Sequence, residues 1–593
     1  MLFCKLIIDY KITIIGHILT QPIHRFLLIL AVMFFFIGAH VVLPSPGSGG
    51  GLYRTSNIAT WMFMCVFISI TMANIIENRR FVFNQTLALV GIGCLFLVIP
   101  IFYPHADVKG SILGVFGLII GYLFLVALYQ YKFREKLKDT LLLLIVLACA
   151  VEASIGLIQH YILTPFEIDW LYFRPEFSAP YMERHQGERS YGAFLHPNVM
   201  ASFMATGVIL SLYVLFKLKD LPIAKKSYIK MGLYYTAASC LHVLILMQSK
   251  AGYLGVLLGL IFLLPLLLKN RHMYKQPALL LLLSLTAAIV TLNLSENQRG
   301  EKIYTDKGVR STIFYVTAKM ILDDPIKGVG FGHFEKSYIL KHYSELEAEN
   351  IDSLPVANLS HPHNETLLWL VEGGISSALG LLCILIAGGL LIFKNDSLRW
   401  AKLSLLMPIL LHSQVELPFV KSSLHFLVVL SLVFYLDNGK ALKEYTIRHV
   451  NLLQPVLFSF FLTSFAYLLS AIHTQLMVNN YKAELDPSYL DKVINPHPWY
   501  LYIETERARI DLYTAVNNKD EVKLRNFINW AYKHLETEPR ERMYVYLIAG
   551  LGYLQDWQAD VSDIEIANAI ADAKAVYPQY PHFEEKINIH SLD

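Results

Sequence analysis

The chain has 593 residues, 55% of them hydrophobic and only 16% charged, with a formal net charge of +3. That balance exceeds what a soluble core needs and excludes a disordered chain; it points to a polytopic membrane protein. The small positive excess is spread over short loops, so it is no nucleic-acid footprint and nucleic acid is not an expected partner.

Thirteen apolar stretches are long enough, or nearly so, to cross a hydrocarbon layer of about 30 Å as helices. They lie near 26–43, 58–76, 86–102, 111–130, 140–163, 198–216, 232–247, 252–268, 278–293, 365–393, 401–416, 423–436 and 453–473. The stretches 401–416 and 423–436 are short and carry polar groups. Residues 1–25 show no cleavage pattern and read as a basic lead into an uncleaved first span. The loops then alternate in charge. One set holds Arg79 and Arg80, Lys132 to Lys138, Lys217 to Lys230 with Lys225, Lys269 to Lys275, Lys394 to Lys402, and Lys440 to Arg448. The short loops between carry one basic residue each: Arg54, Lys109, Lys250 and Lys421. The positive-inside rule makes the richer set cytoplasmic. An odd number of crossings then carries the chain to the outside. The expectation is a transmembrane domain over 1–473 and an outside α-helical domain over 474–593.

Two outside loops break the rhythm, 164–197 and 294–364, and loops of that length are usually functional or covering structures. The segment 474–593 repeats apolar residues at intervals of three and four, as in "NFINWAYKHLETEPRERMYVYLIAGLGYL", the pattern of amphipathic helices. Of six cysteines, five fall inside apolar stretches and Cys4 in the lead, so neither a disulfide framework nor a metal spacing follows.

The polar residues at the span ends all fall on the outside face once that topology is drawn. His196, Pro197 and Asn198 open the sixth span, and Lys250 sits in the turn "QSKAG". His361, His363 and Asn364 open the tenth in "HPHNETLLWLVEGG", and His412 and Glu416 close the eleventh in "HSQVELP". His412 and Glu416 are four apart, the spacing of one helix face. Asn364 suits a helix cap, with Glu365 in the first turn. Glu152 and Glu372 are carboxylates inside apolar runs, which puts them toward the bundle interior or a wet cavity. His160, His242 and His425 read as structural imidazoles. The alternate histidines of "HPH" have no third ligand at helical spacing, so no metal is expected. Arg184 and Arg189 lie in the first large loop. Arg310 opens "RSTIFYVTAKMILDDPIKGVGFGHF" in the second, and arginine forks suit phosphate oxygens. The Gly-rich turn of that stretch follows no strand, which argues against a nucleotide loop.

"RSYGAFLHPNVMAS", the Arg310 helix with "DPIKGVGFGHF", and "HPHNETLLWLVEGG" resemble the three landmarks of the O-antigen ligase and polymerase superfamily. "HSQVELPF" and the outside helical domain resemble its bacterial protein O-oligosaccharyltransferase branch, the PglL type. The resemblance implies an all-α polytopic fold of the membrane glycosyltransferase C class. It also implies transfer of a preassembled oligosaccharide from an undecaprenyl-pyrophosphate carrier to Ser/Thr hydroxyls of periplasmic or pilin-like proteins at the bacterial inner membrane. His363 falls on the family's essential histidine and Arg310 on the arginine that opens the large-loop helix. Lys250 stands where arginine is usual, and His196 where glutamine or asparagine is commoner.

On this reading His363 takes or positions the acceptor proton. Arg310, with Arg189 and Lys250, neutralises charge growing on the leaving diphosphate. His412 and Glu416 either orient His363 or bind acceptor, and His361, Asn198 and Asn364 complete the substrate-binding set. No cofactor is called for, and the expected partners are the lipid-linked donor, the protein acceptor and membrane lipids. Two rivals stand beside it. A lipopolysaccharide O-antigen ligase would use the same donor. A lipid-linked-sugar flippase or transporter would instead distribute its charges across the membrane depth.

Overall fold

The computed structural model describes residues 22–43, 50–132, 134–166, 189–220, 226–294, 309–356, 359–393, 398–437, 442–448, 450–578 and 583. The N-terminal lead up to residue 21, Arg184, Lys225, Lys394 and Lys440 lie outside these residues.

In chain order the helices are α1 (Pro22–Phe36), α2 (Thr55–Asn78), α3 (Gln85–Val98), α4 (Val108–Tyr129), α5 (Arg134–Ile158), α6 (Pro197–Lys217), α7 (Lys226–Leu246), α8 (Lys250–Lys269) and α9 (Arg271–Leu294). They continue with α10 (Arg310–Asp323), α11 (Phe334–Glu347), α12 (Glu365–Phe393), α13 (Arg399–Ser413), α14 (Pro418–Lys421), α15 (Ser423–Leu436) and α16 (Leu453–Glu484). The last are α17 (Ser488–Asp491), α18 (Tyr500–Asn518), α19 (Glu521–Thr537), α20 (Glu541–Asp556) and α21 (Asp563–Val576). Two short strands, β1 (Arg80–Phe83) and β2 (Lys443–Thr446), form the sheet among the described residues.

Every predicted span overlaps a helix, and ten of the helices are long and apolar enough to cross a membrane. The chain is an all-α polytopic membrane protein. The three that fall short are α1, α13 and α15, with 15, 15 and 14 residues. At 1.5 Å per residue these reach only about 21–23 Å.

The chain divides into two compact units, one of residues 1–92, 117–306 and 383–485, the other of 93–116, 307–382 and 486–593. The first is the larger helical bundle. α6 is almost wholly buried there, packed by α5, α7, α8 and α13. Small residues set the spacing: a Cβ on Gly252 would stand 2.8 Å from the Ala201 Cβ, and one on Gly259 2.7 Å from Ile209. Close approach of this kind is what holds helices together where lipid removes the hydrophobic drive.

At one end of this unit β1 and β2 pair antiparallel, Arg80 opposite Thr446 and Phe83 opposite Lys443. Four-residue strands without alternation gave no signal in the sequence. The side chain of Gln130 closes the free edge, accepting from Val82 N at 2.8 Å and donating to Val82 O at 2.9 Å. Beside it Asp437 accepts from Asn84 at 2.7 Å and from the Tyr129 hydroxyl at 2.8 Å. Residues 79–84 therefore lie on one face of the bundle with Asp437 and residues 443–446.

The second unit merges parts that the sequence division kept apart. α16 runs unbroken from Leu453 to Glu484, so residue 473 falls inside a helix. One core joins Ile313, Val316 and Met320 of α10 and Phe334 and Tyr338 of α11 to Leu512, Leu524, Phe527, Tyr544 and Leu547 of the C-terminal helices. α18 to α21 pack each on the next, and α11 lies on α19 and α21. A half-buried ion pair crosses that seam, Arg540 Nη1 to Glu335 Oε1 at 2.9 Å. Burial pushes the Glu335 carboxyl up to about 7, against the pull of Arg540 and aided by Glu538.

α12 is not one helix. Gly374 breaks it with φ 56° and ψ −141°. Residues 375–393, about 28 Å long, suffice to cross a membrane alone. Residues 365–373 form a separate leading helix, so Glu372 sits at a helix break and not deep in a span. The Gly-rich turn docks on that break. Val329 N donates to Val371 O at 2.8 Å, Gly330 N to Glu372 O at 3.1 Å, and Gly332 N to the Glu372 carboxylate at 3.1 Å. Gly328 has φ 67°, and a Cβ there would stand 2.4 Å from Val371 O. The glycines serve backbone-to-backbone contact. Gly374→Ala should therefore open this seam: a Cβ would stand 2.4 Å from Ile326 O. The backbone strain alone costs about 1–3 kcal/mol. Faster proteolysis of the loop 309–356 and a lower thermal midpoint are expected; an unchanged pattern would show the seam carries no load.

Candidate functional site

The polar residues predicted for the site fall in both units, and each group is built by its own local chemistry. In the second unit, His361 to Asn364 form the turn that starts the leading helix of α12. Asn364 Oδ1 accepts from Leu367 N at 3.0 Å, so Asn364 caps the helix as its side chain predicts. His361 Nδ1 accepts from the backbone N–H of His363 at 3.2 Å. A neutral His361 must then carry its proton on Nε2. His363 itself has φ +51°, the left-handed region that a residue with a Cβ enters at a cost. The two rings meet edge to face, 4.6 Å apart at 80°. His363 is thus held in a fixed, strained backbone with its ring against His361.

Arg310 is the first residue of α10. A cation at that place opposes the helix dipole, so helix stability does not account for it. Glu372, read as facing the bundle interior or a wet cavity, receives the Gly332 N–H and stands at the start of α11. It orders the turn.

The first unit gathers the other predicted residues. The segment "RSYGAF" is pinned to α5: Gln159 Oε1 accepts from Tyr191 N at 3.0 Å and Gly192 N at 3.1 Å. Glu152 accepts from Ala193 N at 2.6 Å and lies 2.6 Å from His40 Nδ1. Gly192, with φ +51°, leaves no room for a Cβ, which would stand 2.0 Å from Glu152 Oε1. Gln159 opens a π-helical turn at the end of α5, a feature that recurs at functional sites. Arg54 donates to Phe194 O, and Asn57 donates to Lys421 O at 3.2 Å and accepts from Ser423 N at 2.8 Å.

These ties bring His196, Arg54, Glu416, Lys421 and His412 into one electrostatic neighbourhood. Burial pushes the His196 imidazole down to about 3, against Glu416 and together with Lys421, Arg54 and His412. Its Nδ1 is enclosed and meets no hydrogen-bond partner among the described residues. Burial thus favours the neutral form of His196. Burial likewise lowers Lys421, with Glu416 opposing.

His412 and Glu416 keep the spacing read from the sequence, with Glu416 N donating to His412 O at 2.9 Å just past the end of α13. His412 is 0% exposed, so an acceptor has no access to it in this conformation. Its Nδ1 lies 2.7 Å from Ser202 Oγ, which lies 3.0 Å from His425 Nε2, and His425 Nδ1 is 3.0 Å from Ser422 Oγ. Sequence reasoning passed over Ser202 and Ser422, counted Arg54 only as a loop charge, and left His425 as structural. The available signal for Ser202 and His425 was their polarity inside apolar runs, since buried polar groups have partners. Ser202→Ala should leave two imidazole nitrogens without the shared hydroxyl and cost about 1–3 kcal/mol. A lower thermal midpoint of the purified protein is expected; an unshifted one would show that these bonds contribute nothing.

Asn198 lies in the first turn of α6, half-buried, and Arg189 begins the described part of its segment, also half-buried. Lys250 is the exposed first residue of α8, behind a Ser249 cap that accepts from Gly252 N at 3.3 Å.

Residues 235–385 match the family described as O-Antigen ligase. Residues 400–588 match the family described as Virulence factor membrane-bound polymerase, C-terminal. A search of curated proteins finds no match. The first match contains Arg310, His361, His363, Asn364 and the docked glycine turn; the second contains His412, Glu416 and the C-terminal helices. With its ten apolar helices and these two matches, the chain belongs to the O-antigen ligase and polymerase superfamily of membrane glycosyl-transferring enzymes.

Proposed function

We propose that the protein transfers a preassembled oligosaccharide from an undecaprenyl-pyrophosphate carrier to Ser/Thr hydroxyls of periplasmic, pilin-like proteins at the outer face of the bacterial inner membrane. The observation that carries the reading is His363, held at φ +51° between His361 and the cap Asn364. A strained backbone at a helix head is retained where the side chain must stand in one place.

The acceptor oxygen forms its bond to the anomeric carbon as the bond from that carbon to the diphosphate oxygen breaks. The diphosphate leaves with the electron pair. The hydroxyl proton passes to the His363 imidazole, whose position His361 and Asn364 set. Arg310 stabilises the charge growing on the departing oxygens, where a guanidinium fork matches phosphate geometry. The C-terminal helices share a core with the loop that carries Arg310, which supports a protein acceptor presented by that unit. The pairing of β1 with β2 supports the topology, because it joins two loops that the charge pattern made cytoplasmic.

The O-Antigen ligase match favours a second reading with the same donor and a sugar of the lipid A core as acceptor. Purified protein incubated with lipid-linked oligosaccharide and either acceptor, scored by mass spectrometry, separates the two. Glycan on Ser or Thr is expected. Transfer only to the lipid A core would replace the first reading by the second, and no transfer to either would remove both.

A further inference from the structure

The last turn of α10 and the short segment that follows it, before the Gly-rich turn, display two large apolar side chains, Leu322 at 73% and Ile326 at 64% exposure. Their exposure is not for want of a core. Ile313, Val316 and Met320 of the same helix are buried in it. Two bare aliphatic side chains four residues apart are costly in water and mark a surface that something apolar covers.

Their place in the second unit identifies the cover. Ile375 N donates to Ile326 O at 3.2 Å, which sets Ile326 level with the residue where the membrane-crossing half of α12 begins. Ser376 Oγ donates to Phe96 O at 2.7 Å, and a Cβ on Gly373 would stand 2.8 Å from Pro100. The mouth of the span Gln85–Phe102 is therefore at the same level. Phe102, at its end, is 81% exposed, and Ile375 is 54% exposed. Below that level Leu95, Leu379 and Leu382 continue the exposed apolar belt along both spans. Leu322 and Ile326 prolong this lipid-facing surface onto the large loop. The charges around them balance: Lys319, Lys327 and Lys341 stand against Asp323, Asp324 and Glu345, with Lys341 paired to Asp323 at 2.9 Å and to Glu345 at 3.0 Å. Attraction to anionic headgroups is thus not the drive.

We propose that residues 322–326 are a monotopic membrane anchor, inserting Leu322 and Ile326 at the boundary of headgroups and acyl chains in the bilayer that the adjoining spans cross. The anchor pins one end of α10. Arg310, at the other end, is about 18 Å away along the helix axis. On the reading given under the proposed function, this keeps Arg310 within about 18 Å of the anchored surface from which a lipid-linked diphosphate is presented. The anchor itself rests only on the surface described here.

The test uses the full chain in liposomes, with Leu322→Cys and Ile326→Cys each carrying an environment-sensitive fluorophore. Phe102→Cys serves as the membrane reference and Ile564→Cys, exposed on α21, as the water reference. Signal from the parent chain treated identically is subtracted. Nitroxide lipids labelled high on the acyl chain should quench positions 322 and 326 about twofold or more, as at 102, and leave 564 unchanged. The result should be the same with and without anionic lipid. Quenching at 322 and 326 no greater than at 564 overturns the anchor. So does emission that shifts with protein concentration without lipid quenching, which would assign the surface to a second copy. The readout needs no transfer activity, so it stands apart from the failure of any substrate assignment.

Discussion

His363→Ala is expected to lose glycan transfer almost completely, by about 10²–10⁴ in turnover, the range general acid–base groups supply. The left-handed backbone at this position makes a sharper pair of variants available. His363→Gly removes the same ring but suits φ +51° better than any residue with a Cβ. Both variants should be equally inactive in the purified assay, and the glycine variant should unfold at no lower temperature than the parent. A ring kept only for packing would give the opposite order, with activity following stability. Near-normal transfer by either variant would falsify the assignment of His363 to the chemistry.

Arg310→Ala is expected to lower turnover by about 10²–10³, the loss seen when one donor to a developing oxyanion is removed. Arg310→Lys should retain part of the activity, because an ammonium supplies charge without the planar fork. Donor binding should weaken less than turnover, since the interaction strengthens as the diphosphate leaves. Arg310 stands at the first position of α10, where its charge opposes the helix dipole, so its removal should not destabilise the helix. Equal and mild losses for both variants, varying with the lipid mixture, would instead make Arg310 a headgroup contact. Kinetics in two lipid mixtures and a thermal scan decide between these outcomes.

The spans were legible because an apolar run needs no partner to declare itself. The polar ends were legible for the same reason, as were the Asn364 cap and the spacing of His412 and Glu416. What escaped depends on contacts far along the chain. Ser202 and His425 meet only when α6 and α15 pack in one bundle, and no periodicity links positions so distant. The break at Gly374 lay inside a run apolar enough to read as one span, and the two glycines there gave its only trace. The glycines of "GVGFGHF" were excluded as a nucleotide loop, but their use as a docking seam shows only beside Val371 and Glu372. The C-terminal helices were visible by their period. Their shared core with α10 and α11 was not, because amphipathic faces do not name what they bury against.

The pairing of β1 with β2 also sets a clock on biosynthesis. Arg80 and Glu444, the ion pair across those strands, are 364 residues apart in the chain. At ribosomal rates of about 5–20 residues per second, the second strand emerges roughly 20–70 s after the first. Through that interval β1 is an open strand edge, a template for the wrong partner. The Gln130 side chain, made soon after β1, occupies one side of it at once. A chain released before residue 443 would keep the other side open for its whole lifetime, so truncated products should be taken by quality-control proteases even when most of their spans are already inserted.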